Sequence, residues 1–205
     1  MKHGVVTRWI LAAVSMILVA EISLAGELSI GSKLPQADRK MKNVDGKTIT
    51  VLDAKGSRGT VVAFWCNNCP VVKAYKTRMV KHAGEYKAKG IGFIAVNAND
   101  PAKSSGDSLE NMVKDAKKHG YVFPYVVDEG SQMAKAMGAS RTPHVFLFDA
   151  ENRLAYVGGI DDSMNSPDAV KTPWLKNAMD ALVEGKKPAT QKTKAFGCSI
   201  KWSSK

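Results

Sequence analysis

Three observations predict an α/β chain with a central mixed β-sheet flanked by helices. Thr60–Trp65 is apolar on both faces, as expected of a strand in the middle of a covered sheet. In the segment from Pro70 to Lys89, Val72, Tyr75, Met79, Ala83 and Tyr86 recur at three- and four-residue steps with lysines between them, the pattern of a half-buried helix. Ile91–Val96 is a second apolar run, so residues 60–96 make a strand–helix–strand unit.

Residues 1–25 read as a cleaved secretory signal peptide. Lys2 and Arg8 give a basic start, Trp9 to Ala20 is apolar, and Ser23-Leu24-Ala25 places small residues before a cut at Gly26. The apolar run of twelve residues is shorter than the ~20 needed to span a bilayer, so no stable membrane insertion is expected after cleavage. Residues 26–205 remain, 180 in all, which suits a single well-cored domain with a basic C-terminal tail.

Within that domain, Asn43 to Leu52 reads as an N-terminal β-hairpin around Asp45-Gly46. Pro70 suits the first turn of the long helix, where its missing N–H is not needed. Asp107-Ser108-Leu109-Glu110 reads as a capping box with Asp107 at the cap, opening a helix with Leu109, Met112, Val113 and Ala116 on one face. Val122–Val127 is a strand candidate, edge or irregular because of Pro124. A short helix from Ser131 to Met137 ends at Gly138. His144–Phe148 and Arg153–Val157 flank a turn and form a hairpin, and Pro173 to Glu184 is the last helix. The stretch Ala195 to Trp202 turns apolar after a basic run and is expected to dock on the body.

The formal net charge is +11, with lysines spread over the first helix, the second helix and the tail. No helix-turn-helix, zinc-finger or aromatic RNA-binding pattern accompanies it, so the charge reads as a solvated basic surface and nucleic acid is not an expected partner. Three cysteines in an exported chain are too few to staple a fold, and the close pair looks like a working dithiol.

That pair is Cys66-Asn67-Asn68-Cys69, placed where the buried strand turns into the helix. Unsatisfied N–H groups and partial positive charge at a helix start favour thiolate over thiol. A thiolate is the species that attacks a disulfide, and a second sulfur three residues on resolves the mixed disulfide so formed. A structural zinc site would need four ligands, and neither Cys198 nor His3, His82, His119 or His144 supplies a second close pair.

Taken together, Phe64-Trp65-Cys66-x-x-Cys69-Pro70, Thr142-Pro143 before a hairpin, Gly158-x-Ile160-Asp161-Asp162 and the terminal Phe196-Gly197-Cys198-Ser199-Ile200-Lys201-Trp202 resemble the thioredoxin fold in its redoxin branch. The segment from Asp100 to Val127 is similar to the insertion of that branch. The chain is most similar to the peroxiredoxin-like thioredoxin family, related to alkyl hydroperoxide reductase and thiol-specific antioxidant proteins, over about residues 28–203. The resemblance implies that Cys66 is the nucleophile, exposed at the helix start, and that Cys69 is the more buried resolving thiol. Pro143 would be a cis-proline facing the pair, leaving the backbone of Thr142 open to a substrate peptide. Trp65 would pack beside the dithiol, and Asn67 and Asn68 would shape the site. Cys198 admits two readings, a third redox thiol or a small buried apolar residue. Asn97, Asn99 and Asp100, after a strand end, are candidates to line the site. Ala63 stands where thioredoxins carry a buried Asp. Cys66 stands where peroxiredoxins carry a Thr relative to Cys69.

The resemblance thus implies a thiol–disulfide oxidoreductase needing no organic cofactor, since the dithiol itself carries two electrons, and the signal-like start implies a periplasmic or secreted location. Its partners would be protein or small-molecule disulfides or peroxides, and a membrane or periplasmic dithiol protein that recharges it. Two alternatives stand beside it. One is a thiol peroxidase. The other is a copper or haem-assembly binding module using Cys66, Cys69 and His144.

Overall fold

The computed structural model describes residues 26–204, so the expected signal peptide lies outside the described residues. The strands are β1 (Met41–Asn43), β2 (Thr48–Ile49), β3 (Gly59–Phe64), β4 (Ile91–Asn97), β5 (Tyr125–Val127), β6 (Arg141–Thr142), β7 (His144–Asp149), β8 (Leu154–Gly158) and β9 (Cys198–Ser199). The helices are α1 (Pro70–Lys87), α2 (Leu109–His119), α3 (Gln132–Met137) and α4 (Trp174–Val183). Among the described residues, seven strands form one mixed sheet in the order β2-β1-β5-β4-β3-β7-β8, while β6 and β9 pair separately.

All six residues of β3 are buried because β3 lies between parallel β4 and antiparallel β7. Its alternate side chains enter two cores. Val61 and Ala63 face α1, α2 and α4 on one side of the sheet. Val62 and Phe64 meet Ile94, Val96, Phe146 and Phe148 on the other, closed by α3 and the N-terminal segment. Each fully buried Val or Phe is worth about 1.5–3 kcal/mol, which fixes the register of the strands that carry them.

Three local expectations are corrected. Ser108, not Asp107, caps α2: the Ser108 hydroxyl accepts from Asn111 N–H, and Asp107 turns inward instead. The strand after Pro124 is short and interior, paired with both β1 and β4, because the proline lies just outside the ladder. Lys76, expected on the solvated basic face, is buried and pairs with Asp115 from α2. The tail docks on the body as expected: Ile200 is buried and the backbone is bonded down at several points, although Phe196 and Trp202 stay exposed. No helix of the described residues is long and apolar enough to cross a membrane.

Candidate active site

Strand β3 delivers Trp65 and Cys66 to the end of the sheet, and α1 begins at Pro70 directly after Cys69. Trp65 is fully buried; its backbone N–H reaches Val96 O at 2.9 Å and its indole Nε1 donates to the Tyr121 hydroxyl at 2.9 Å. Tyr121 in turn donates to Asp115, which holds Lys76, so the tryptophan is anchored to α1 and α2 together.

The loop between the cysteines is held by Asn67. Its backbone N–H donates to Asp107 Oδ1 at 2.7 Å, its side-chain amide donates to Gly106 O at 2.8 Å, and its Oδ1 accepts from the Tyr125 hydroxyl at 3.0 Å. Asn68 is exposed at the tip. Asp107 is buried and also accepts from Asn97 Nδ2, Asn99 Nδ2 and the Ser104 hydroxyl. Four donors on one carboxylate satisfy a charge that would otherwise be costly to bury. Asn97 and Asn99 therefore stand behind the dithiol loop as its frame. Asp100 is not part of that network; its N–H binds Lys201 O.

The Thr142–Pro143 peptide is cis. Thr142 touches both sulfurs: its Oγ1 lies 3.1 Å from Cys66 Sγ, and its carbonyl oxygen accepts from Cys69 Sγ at 3.1 Å. None of the three cysteines is paired in a disulfide in this structure. The expectation of an exposed Cys66 is corrected: Cys66 and Cys69 are 2% and 3% exposed. The backbone of Thr142 is not open either. It pairs antiparallel with Cys198 of β9.

Cys66 and Cys69 ionise as one unit. The hydrogen bond between the sulfurs, then burial, holds the Cys66 thiol well above its ordinary range, and the Asp107 charge adds to this. The same sulfur–sulfur bond draws Cys69 down to about 4, against burial and with help from the N–H groups of Val72 and Cys198. The Thr142 carbonyl pulls the other way, since it can accept only from a protonated Cys69. The direction common to both arguments is that the pair loses its first proton easily and its second with difficulty. Burial first, and then the Cys69 sulfur, raises Cys198 to about 11.

His144 is corrected as a partner of the dithiol. Along β7 it alternates with Val145, so it lies with Phe146 on the opposite side of the sheet, its Nε2 3.2 Å from Glu27. Among the described residues, no group of three His, Cys, Asp or Glu side chains could hold a metal ion. The reading built on Cys66, Cys69 and His144 thus lacks its geometry. Asp107, Tyr121 and Tyr125 are the site residues sequence reasoning missed. The adjacent cap formers Asp107 and Ser108 gave the one available signal, because only one of them can cap the helix.

This fold and paired-cysteine site define a thioredoxin-like redoxin. The chain belongs to the AhpC/TSA family, whose pattern matches residues 30–157. The thiol-disulfide oxidoreductase ResA of Halalkalibacterium halodurans is 29% identical over 126 residues, 60% of this chain and 67% of that protein. A hypothetical protein from Sinorhizobium meliloti has a similar structure, with TM-score 0.81 and 33% identity over 88% of this chain and 98% of that one. An uncharacterized conserved protein from Geobacillus kaustophilus is likewise similar, with TM-score 0.81 and 38% identity over 86% of this chain and 94% of that one.

Proposed function

We propose that this protein is an exported thiol–disulfide oxidoreductase in which Cys66 attacks and Cys69 resolves. One observation carries the reading: both sulfurs are held on Thr142, beside cis Pro143, at the start of α1. The protonation state that satisfies both Thr142 groups has a thiolate on Cys66, accepting from the hydroxyl, and a thiol on Cys69, donating to the carbonyl. A single proton moving between the sulfurs reaches that state from the one that favours charge on Cys69.

The Cys66 thiolate attacks one sulfur of a substrate disulfide, and the other leaves as a thiolate. Cys69 gives up its proton and attacks Cys66, releasing the first substrate sulfur. The substrate gains two electrons and the protein keeps the Cys66–Cys69 disulfide. Run backwards, the same steps oxidise a dithiol. The printed name of the ResA relatives supports this chemistry. The signal-like residues 1–25 support a periplasmic or secreted location, where a membrane or periplasmic dithiol protein would recharge the pair.

A glutathione redox titration of the Cys198→Ser variant, with thiols trapped and counted by mass, tests the reading. A two-electron Cys66–Cys69 couple is expected. A potential near about −270 mV marks a reductant and one near about −120 mV an oxidant. If no intramolecular disulfide forms over the range, the reading is wrong.

A further inference from the structure

The edge beside the cis-proline is already occupied, by the protein's own C-terminal strand. In β9, Cys198 lies opposite Thr142 and Ser199 opposite Arg141. Arg141 Nη1 donates to Gly197 O at 3.0 Å, Ile200 N–H to Ser140 O at 3.1 Å and Lys201 N–H to Asn99 Oδ1 at 2.8 Å. Gly197 passes so close that a Cβ there would lie 2.0 Å from Thr142 O. Thr142 presents its carbonyl to Cys69 and its backbone to Cys198, so the two cysteines share one residue as their platform. Cys198 packs against the cluster that holds Cys66 and Cys69, and burial, then the Cys69 sulfur, raises the Cys198 thiol. Cys66 and Cys69 are buried, whereas Cys198 is partly exposed.

We propose that β9 is a tethered redox strand whose Cys198 takes the disulfide over from the oxidised pair. The Cys198 thiol loses its proton to solvent, and its thiolate attacks Cys69 Sγ. The Cys66–Cys69 bond breaks as the Cys69–Cys198 bond forms, and Cys66 leaves as a thiolate. No electrons are gained or lost, so the exchange needs no further oxidant. It brings one sulfur of the disulfide to the surface, where a recharging thiol can attack Cys198, and it frees Cys66 beneath the strand. The exchange rests on the dithiol reading above, because the Cys66–Cys69 disulfide is its starting material.

The test uses the reduced full chain treated with oxidised glutathione, quenched in acid at intervals, alkylated and cut with trypsin. Cleavage leaves Cys66 and Cys69 together in peptide Gly59–Lys73 and Cys198 in Ala195–Lys201. The expected product is these two peptides joined through Cys69, with Cys66 alkylated, at no less than about a tenth of the closed Cys66–Cys69 form, equivalent to couples within ~30 mV. Cys198→Ser should abolish the joined product and slow reduction of the oxidised protein by glutathione about tenfold, because both remaining sulfurs are buried. A closed Cys66–Cys69 peptide with Cys198 alkylated at every interval, and an unchanged reduction rate in Cys198→Ser, would overturn the exchange and leave the dithiol reading intact. No closed peptide in Cys198→Ser would overturn both.

Discussion

Replacing Gly197 with alanine should unlatch the C-terminal strand. Gly197 has φ +155°, a conformation side chains disfavour, and its added Cβ would meet Thr142 O at 2.0 Å, Thr142 C at 2.7 Å and Pro143 Cδ at 3.1 Å. An alanine has no rotamer with which to escape, and the obstacle is mostly backbone, so the strand itself must lift. Lifting sacrifices the Arg141–Gly197 hydrogen bond and a bond of the β6–β9 ladder, each worth about 1 kcal/mol, and the backbone conformation costs about 1 kcal/mol more. Roughly 3 kcal/mol of lost docking corresponds to a rise of about a hundredfold in the open population. Iodoacetamide should then alkylate the reduced Cys66–Cys69 pair faster by up to that factor, while circular dichroism stays native, since Gly197 lies outside both cores. A rate within about twofold of wild type in a natively folded variant would show that β9 is not what covers the pair.

Three further expectations follow from the buried polar groups. Asp107→Asn keeps the shape but places a donor among donors, so unfolding in urea should show a loss of about 2 kcal/mol, and removal of the charge should lower the Cys66 pKa as read from thiolate absorbance. Lys76→Met removes the lysine from the largely buried Asp115, leaving it Tyr121 and His119, and should cost about 3 kcal/mol in the same assay. Burial, partly offset by Glu27, depresses His144 from 6.5 to about 4 in the folded chain. The unfolded chain therefore takes up the proton first: stability is full above pH 6.5 and falls as pH drops toward 4. Between pH 7 and pH 5 the wild type should lose about 2 kcal/mol that His144→Gln retains, compared by urea midpoints; equal losses in both would refute the assignment.

The sheet and the helix behind it were legible because their signals are local. β3 and β4 are continuous apolar runs, α1 has a helical stripe with Pro70 at its start, and β7 and β8 flank a short turn. Cys66 and Cys69 were legible for the same reason. What the sequence hid is decided across space. A two-residue ladder such as β6–β9 has no periodicity to read, and it joins residues about 56 apart, yet it sets Cys198 opposite Thr142 beside the dithiol. Asp107 and Ser108 are both good caps, and bonds from Asn67, Asn97, Asn99 and Ser104 draw Asp107 away from that role. The side of the sheet taken by His144 was readable in principle: alternation from Val145 and Leu147 places it with Phe146 and Phe148, away from the dithiol.

Asp107 fastens two things at once. One oxygen holds the Asn67 N–H in the dithiol loop, and the other holds Asn99, whose own oxygen holds Lys201 in the tail. A visitor that displaces the tail therefore loosens the frame of the loop in the same motion, and a molecule that merely diffuses past does neither. Such a wiring couples whatever happens at the tail to the frame that holds the dithiol loop.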